Sequence, residues 1–101
     1  HTASLFPDSI ALAERLRLVV PNYVSSQKTW RMTLTYPVLW AAGEVLFFVS
    51  GASKAEAVAR IYDPNADMVR LPSVGLRKAT GRVIWILDSD AARLVRPSLR
   101  L

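Results

Sequence analysis

Hydrophobic residues fall along this chain in two kinds of run. Positions 45–49 and 83–87 are apolar throughout (Val45, Leu46, Phe47, Phe48, Val49; Val83, Ile84, Trp85, Ile86, Leu87). Strands of that composition are expected to be covered on both faces, because a strand with one face in water alternates. Two further β-prone runs are shorter: Leu18, Val19 and Val20, ended by Pro21, and Met32, Thr33, Leu34 and Thr35, ended before Pro37. Ser25, Ser26, Gln27 and Lys28 form a polar connection between them. Helix signals fill most of the remainder. Asp8 offers a cap for a short helix over 9–16, and Pro37 suits the first turn of a helix through Ala42 that Gly43 would end. Ser53 and Glu56 have capping-box spacing at the start of a helix reaching about Tyr62, and Asp88 caps a final helix through Ala91, Ala92, Leu94 and Val95. Residues 63–66 read as a loop, and Leu71 and Pro72 open another irregular piece. Strands and helices in this order predict an α/β fold built from crossover units.

Composition narrows the classes without choosing one. At 101 residues and 51% hydrophobic, the chain has the size and apolar content of one globular unit, 1–101. Its longest apolar run is far short of the roughly 20 residues that cross a bilayer, so no membrane partner is expected. The absence of cysteine excludes disulfides and thiolate chemistry and fits a cytoplasmic location. The chain opens on His1, without an initiator Met or a basic, apolar leader, which points to a start internal to its coding sequence. A net charge of +5 suits an anionic ligand, but Arg70, Arg77, Lys78, Arg82, Arg93, Arg96 and Arg100 are scattered and not interleaved with aromatics. Nucleic acid is therefore not the expected partner.

Three side chains carry candidate chemistry. His1 titrates near neutrality and can take a proton from water, although an isolated terminal histidine makes no site by position alone. Lys54 follows an apolar strand and a Gly turn at a helix start, where a phosphate would fit, yet a solvated lysine on a capped helix explains the same residues. Gly51, Ala52, Ser53 and Lys54 lack the first Gly and long loop of a Walker A sequence, so nucleotide binding is not indicated. Arg31, just before the second strand, could grip a phosphate with its planar fork or simply be an edge arginine in water. Trp30, Trp40, Trp85, Phe47 and Phe48 read as core. No His, Cys and carboxylate spacing suggests a metal, and no cofactor is expected.

Four stretches, in one order, carry a family resemblance: His1-Thr2-Ala3-Ser4-Leu5-Phe6-Pro7; Trp30-Arg31-Met32-Thr33-Leu34-Thr35-Tyr36-Pro37-Val38-Leu39; residues 45–58 with Gly51, Lys54 and Ala55; and Ile84-Trp85-Ile86-Leu87-Asp88. They resemble the H-T-x-S-L-F-P, R-x-T-L-T-x-P-x-L, G-x-x-K-A and W-x-L-D signatures of the glucosamine-6-phosphate isomerase/6-phosphogluconolactonase family. The resemblance implies the C-terminal part of a Rossmann-like three-layer α/β/α domain with a mainly parallel sheet, whose N-terminal part lies outside this sequence. It further implies cytoplasmic hydrolysis of 6-phospho-D-glucono-1,5-lactone to 6-phosphogluconate in the oxidative pentose phosphate pathway. In that reading His1 is the general base, Lys54 and Arg31 hold the substrate phosphate, no cofactor takes part, and the complete enzyme is a monomer.

Related deaminases acting on glucosamine 6-phosphate carry a glutamate just before the proline of the first signature, a carboxylate used in ring opening. Phe6 stands there in this chain, which favours the lactonase branch. The alternatives are a deaminase-like sugar-phosphate enzyme and a non-catalytic phosphosugar-binding fragment. Two departures from the family pattern are Trp40, where Asn is common, and Ser26-Gln27-Lys28-Thr29, where many members are proline-rich.

Overall fold

A computed structural model of the chain describes residues 1–95. It contains β1 (Val19–Val24), β2 (Thr29–Leu34), α1 (Tyr36–Ala41), β3 (Glu44–Val49), α2 (Ala55–Ile61) and β4 (Arg82–Leu87), with 3-10 turns at Ile10–Ala13, Ala52–Lys54 and Pro72–Lys78. β3 and β4 pair in parallel with Phe47 opposite Trp85, and α2 lies in the crossover between them, which is the α/β unit the apolar runs predict. The first two strands do something else. They pair antiparallel as a hairpin in their own two-stranded sheet, so they are not part of the parallel pair.

Both hairpin strands outrun their predicted limits. Pro21 does not end β1, because in an edge strand only alternate residues need donate to the partner. Val20, Asn22 and Val24 face inward while Pro21 faces out. The polar connection turns tightly, with Lys28 at φ 51° and Gln27 N–H bonded to the Val24 carbonyl at 3.1 Å. The predicted helix over 9–16 shrinks to a single 3-10 turn. Asp8 cannot cap it, since its φ of 61° is left-handed, and the Ser9 hydroxyl donates to the Phe6 carbonyl at 2.8 Å instead. Asp88 does accept the Ala91 N–H at 2.8 Å, the expected capping contact, but turns rather than an α-helix follow through Val95. Arg96 and Arg100 lie outside the described residues.

Among the described residues only one face of the β3–β4 pair is covered. Val45, Phe47 and Val49 of β3 are half-buried, and Phe47 stacks on Trp85 at 3.9 Å between centroids. The other face is open: Leu46 is 45%, Phe48 75% and Ile86 44% exposed. Trp30 is likewise exposed rather than core. The main core joins Leu5, Leu12, Val20, Tyr36 and Leu76, and a smaller one joins Val58, Ala91 and Val95.

Tyr36 is the keystone of the larger core. It is fully buried, donates its hydroxyl to the Pro72 carbonyl at 2.6 Å, and is pushed up to about 12 in pKa by burial. Trp40 stacks on it at 5.2 Å and donates Nε1–H to the Gly75 carbonyl at 2.8 Å, which gives this departure from the family pattern a packing role. Gly75 must be glycine for space: a Cβ there would sit 2.5 Å from the Tyr36 ring. Gly75→Ala is expected to destabilise by about 1–3 kcal/mol through overpacking, read as a lower denaturation midpoint. An unchanged midpoint would show that the pinned ring can move aside.

Candidate active site

The segment carrying His1 is held by backbone and side-chain bonds that its own sequence supplies. Thr2 and Leu5 pair across a tight turn, with Leu5 N–H to the Thr2 carbonyl at 2.8 Å and Ala3 at φ 49°. Leu5, completely buried, anchors the turn in the main core. From β2, Thr33 Oγ1 accepts the Ser4 N–H at 3.1 Å, and from β1 the buried Asn22 donates Nδ2–H to the Ser4 carbonyl at 2.9 Å and to Ser9 Oγ at 3.1 Å. Thr33 and Asn22 thus give a physical reason for polar residues at inward strand positions, because a buried carbonyl or amide without a partner costs about 1–3 kcal/mol.

Lys54 arrives from the opposite side, on the turn that leaves β3. Gly51 has φ 94°, which a residue with a Cβ rarely adopts, and the turn continues as the 3-10 segment Ala52–Lys54. The predicted capping box does not form: α2 begins at Ala55, its cap position is Lys54, and no side chain caps it. Two amides of this turn are already engaged. Gly51 N–H is taken by the Asp88 carboxylate, 3.2 and 3.1 Å from its two oxygens, and Lys54 N–H by the Gly51 carbonyl at 3.2 Å. Lys54 instead brings its ammonium, exposed and without an acidic partner among the described residues.

Asp88 explains the end of the W-x-L-D run, since its one carboxylate ties the end of β4 to the turn of β3. Asp88→Ala is expected to cost about 1 kcal/mol, as loss of a cap does, with Asp88→Asn retaining most of it through its remaining carbonyl oxygen. Equal loss in both variants, measured by denaturation, would assign the effect to charge rather than to the bonds.

His1 and Lys54 line one cleft of about 360 Å³, along with Phe47, Ser50, Ser73 and Trp85. The His1 imidazole lies flat on Phe6, with ring centroids 4.4 Å apart and planes 7° from parallel. Arg31 does not line this cleft. It sits within β2, donates Nε–H and Nη2–H to Gln27 Oε1 at 3.0 and 2.8 Å, and lies over the Phe6 ring, 5.7 Å from its centroid. Sequence reasoning missed Ser50 and Ser73 as cleft residues, because neither carries a pattern that marks it. No three His, Asp or Glu side chains gather as metal ligands among the described residues.

A family model described as glucosamine-6-phosphate isomerases/6-phosphogluconolactonase matches residues 1–85. The chain belongs to this family. Among curated members, a 6-phosphogluconolactonase of Homo sapiens is 42% identical over 94% of this chain and 37% of its own length. One from Nostoc sp. is 41% identical over 90% of this chain and 37% of its own. The chain therefore spans somewhat over a third of these relatives. A solved 6-phosphogluconolactonase from Trypanosoma brucei superposes with a TM-score of 0.82 at 31% identity, covering 95% of this chain and 38% of that one. The α/β family fold expected from the signatures is thus shown.

Proposed function

We propose that the protein carrying this chain hydrolyses 6-phospho-D-glucono-1,5-lactone to 6-phosphogluconate, in the cytoplasmic oxidative pentose phosphate pathway. The observation that carries the reading is the placement of His1 and Lys54 on one cleft of a size suited to a phosphorylated sugar. His1 takes a proton from water as the oxygen attacks the lactone carbonyl, giving a tetrahedral oxyanion. The bond from that carbon to the ring oxygen then breaks, and the imidazolium returns the proton to the departing oxygen. Lys54 binds the substrate phosphate, and Arg31, which lies over Phe6 outside the cleft, adds positive charge at longer range without lining the site. Phe6 occupies the position at which the deaminase branch places its ring-opening glutamate and covers one face of the imidazole, which supports lactone hydrolysis over deamination.

The open face of β3 and β4, with Leu46, Phe48 and Ile86, is the surface we assign to the remaining part of the same domain, since a parallel sheet is ordinarily covered on both sides. The test uses protein expressed from the whole reading frame. Lactone hydrolysis without release of ammonia from glucosamine 6-phosphate is the expected result, and the 101-residue piece alone is expected to be inactive. Ammonia release in place of lactone hydrolysis would assign the deaminase reaction, and binding of 6-phosphogluconate without turnover a non-catalytic module.

A further inference from the structure

The His1 imidazole makes no hydrogen bond to a described residue, so no polar group among the described residues fixes its plane. A histidine acting as a base ordinarily has its ring oriented by a bond at the second nitrogen. What touches this ring is Phe6, parallel to it at 4.4 Å. Phe6 is itself firmly seated. Its carbonyl accepts both the Ser9 N–H at 3.2 Å and the Ser9 hydroxyl at 2.8 Å, and the preceding Leu5 is completely buried. The Phe6 side chain is only half-buried and belongs to neither core cluster, so core packing does not account for an aromatic ring here. Arg31 over the same ring puts Phe6 in contact with both the proposed base and the cation on β2.

We propose that Phe6 is a positioning residue for the base: its flat face holds the His1 imidazole in one plane, with the ring edge directed at the cleft. This rests on the lactonase reading above and adds to it a residue that touches no substrate. A stacked pair can slide but cannot tilt without losing the contact, so both ring nitrogens stay in the plane of the stack. Such a restraint acts on the rate of proton abstraction rather than on substrate affinity, because orientation of a catalytic group lowers the barrier without adding contacts to bound substrate. An aromatic pair contributes enough for a change of about 3- to 10-fold.

The test compares wild type, Phe6→Leu and Phe6→Tyr in protein expressed from the whole reading frame, with kcat, KM and melting temperature measured for each. Phe6→Leu is expected to lower kcat about 3- to 10-fold with KM and melting temperature held, while Phe6→Tyr, which keeps the aromatic face, retains the wild-type kcat. Proton NMR supplies a readout independent of turnover. The His1 ring C–H resonances, assigned by their loss in His1→Gln, should lie upfield in wild type from the Phe6 ring current and move downfield in Phe6→Leu. Wild-type kcat in Phe6→Leu, an equal loss in Phe6→Tyr, or unshifted His1 resonances in wild type would each overturn the inference while wild-type lactonase activity stands. A fall in melting temperature together with a rise in KM would make Phe6 a packing residue and overturn it as well. Absence of lactone hydrolysis by wild type would instead remove the reading beneath it.

Discussion

Replacing His1 by alanine in the enzyme expressed from its whole reading frame is expected to lower kcat for the lactone about 10²- to 10⁴-fold, the range supplied by a positioned general base. KM should change little, because the imidazole acts on water rather than on the bound sugar. The fold should survive the change. His1 is exposed, and the turn behind it is held by Leu5, Thr33 and Asn22, none of which depends on the imidazole. His1→Gln keeps a polar side chain of similar reach without a group that titrates near neutrality, so it separates loss of the base from loss of bulk. Both variants should be comparably impaired. Wild-type kcat in His1→Ala would remove His1 from the mechanism and leave the cleft without a titrating base among its described lining residues.

The parallel pair and its crossover were legible because two uninterrupted apolar runs joined by a long connection that carries a helix signal admit few other arrangements. The hairpin was less so. Pro21 read as a strand end, whereas an edge strand tolerates a residue without an N–H where that bond would point away from the partner, and the pairing cannot be seen before the partner strand is known. The same limit applies to the caps. Ser53 and Glu56 have the right spacing, but Gly51 in its left-handed region tightens the chain into a 3-10 turn, and α2 starts two residues beyond Ser53. Asp88 was legible as a cap, while its second role, bonding Gly51 across 37 residues, was not.

For the site, the motifs brought the right residues into view for reasons that spacing alone does not contain. His1 and Lys54 are 53 positions apart in the chain and meet in one cleft only because Thr33 and Asn22 seat one segment and Asp88 the other. Arg31 shared a signature with Thr33 and, two residues away on β2, shares its strand face, but it lies nearer the hairpin turn. Thr33 faces inward and meets Ser4, whereas Arg31 stays exposed and reaches Phe6 instead of the cleft. The core reading of Trp30 and Phe48 failed for another reason: aromatic composition says that a residue has much apolar surface to cover, not that this segment of chain covers it.

Lys54→Ala is expected to raise KM for the phosphorylated lactone about 10- to 100-fold while leaving kcat within a few-fold of wild type. The magnitude follows from a hydrogen bond to a charged group, worth about 1.5–3 kcal/mol. The split between the constants follows from geometry, since the phosphate lies at the far end of the sugar from the carbonyl under attack and is held alike in ground and transition states. Competing interactions do not dilute the effect, because Lys54 has no acidic partner among the described residues and its exposed side chain supports no core. Lys54→Arg should recover most of the affinity if charge alone is required. Its larger planar head must, however, enter the cleft beside Ser50 and the stacked Phe47 and Trp85 rings, so recovery should be partial. Inorganic phosphate gives a second measure: it should inhibit wild type competitively and Lys54→Ala much more weakly. A Lys54→Ala enzyme with wild-type KM and undiminished phosphate inhibition would place the phosphate elsewhere and remove Lys54 from the proposed site.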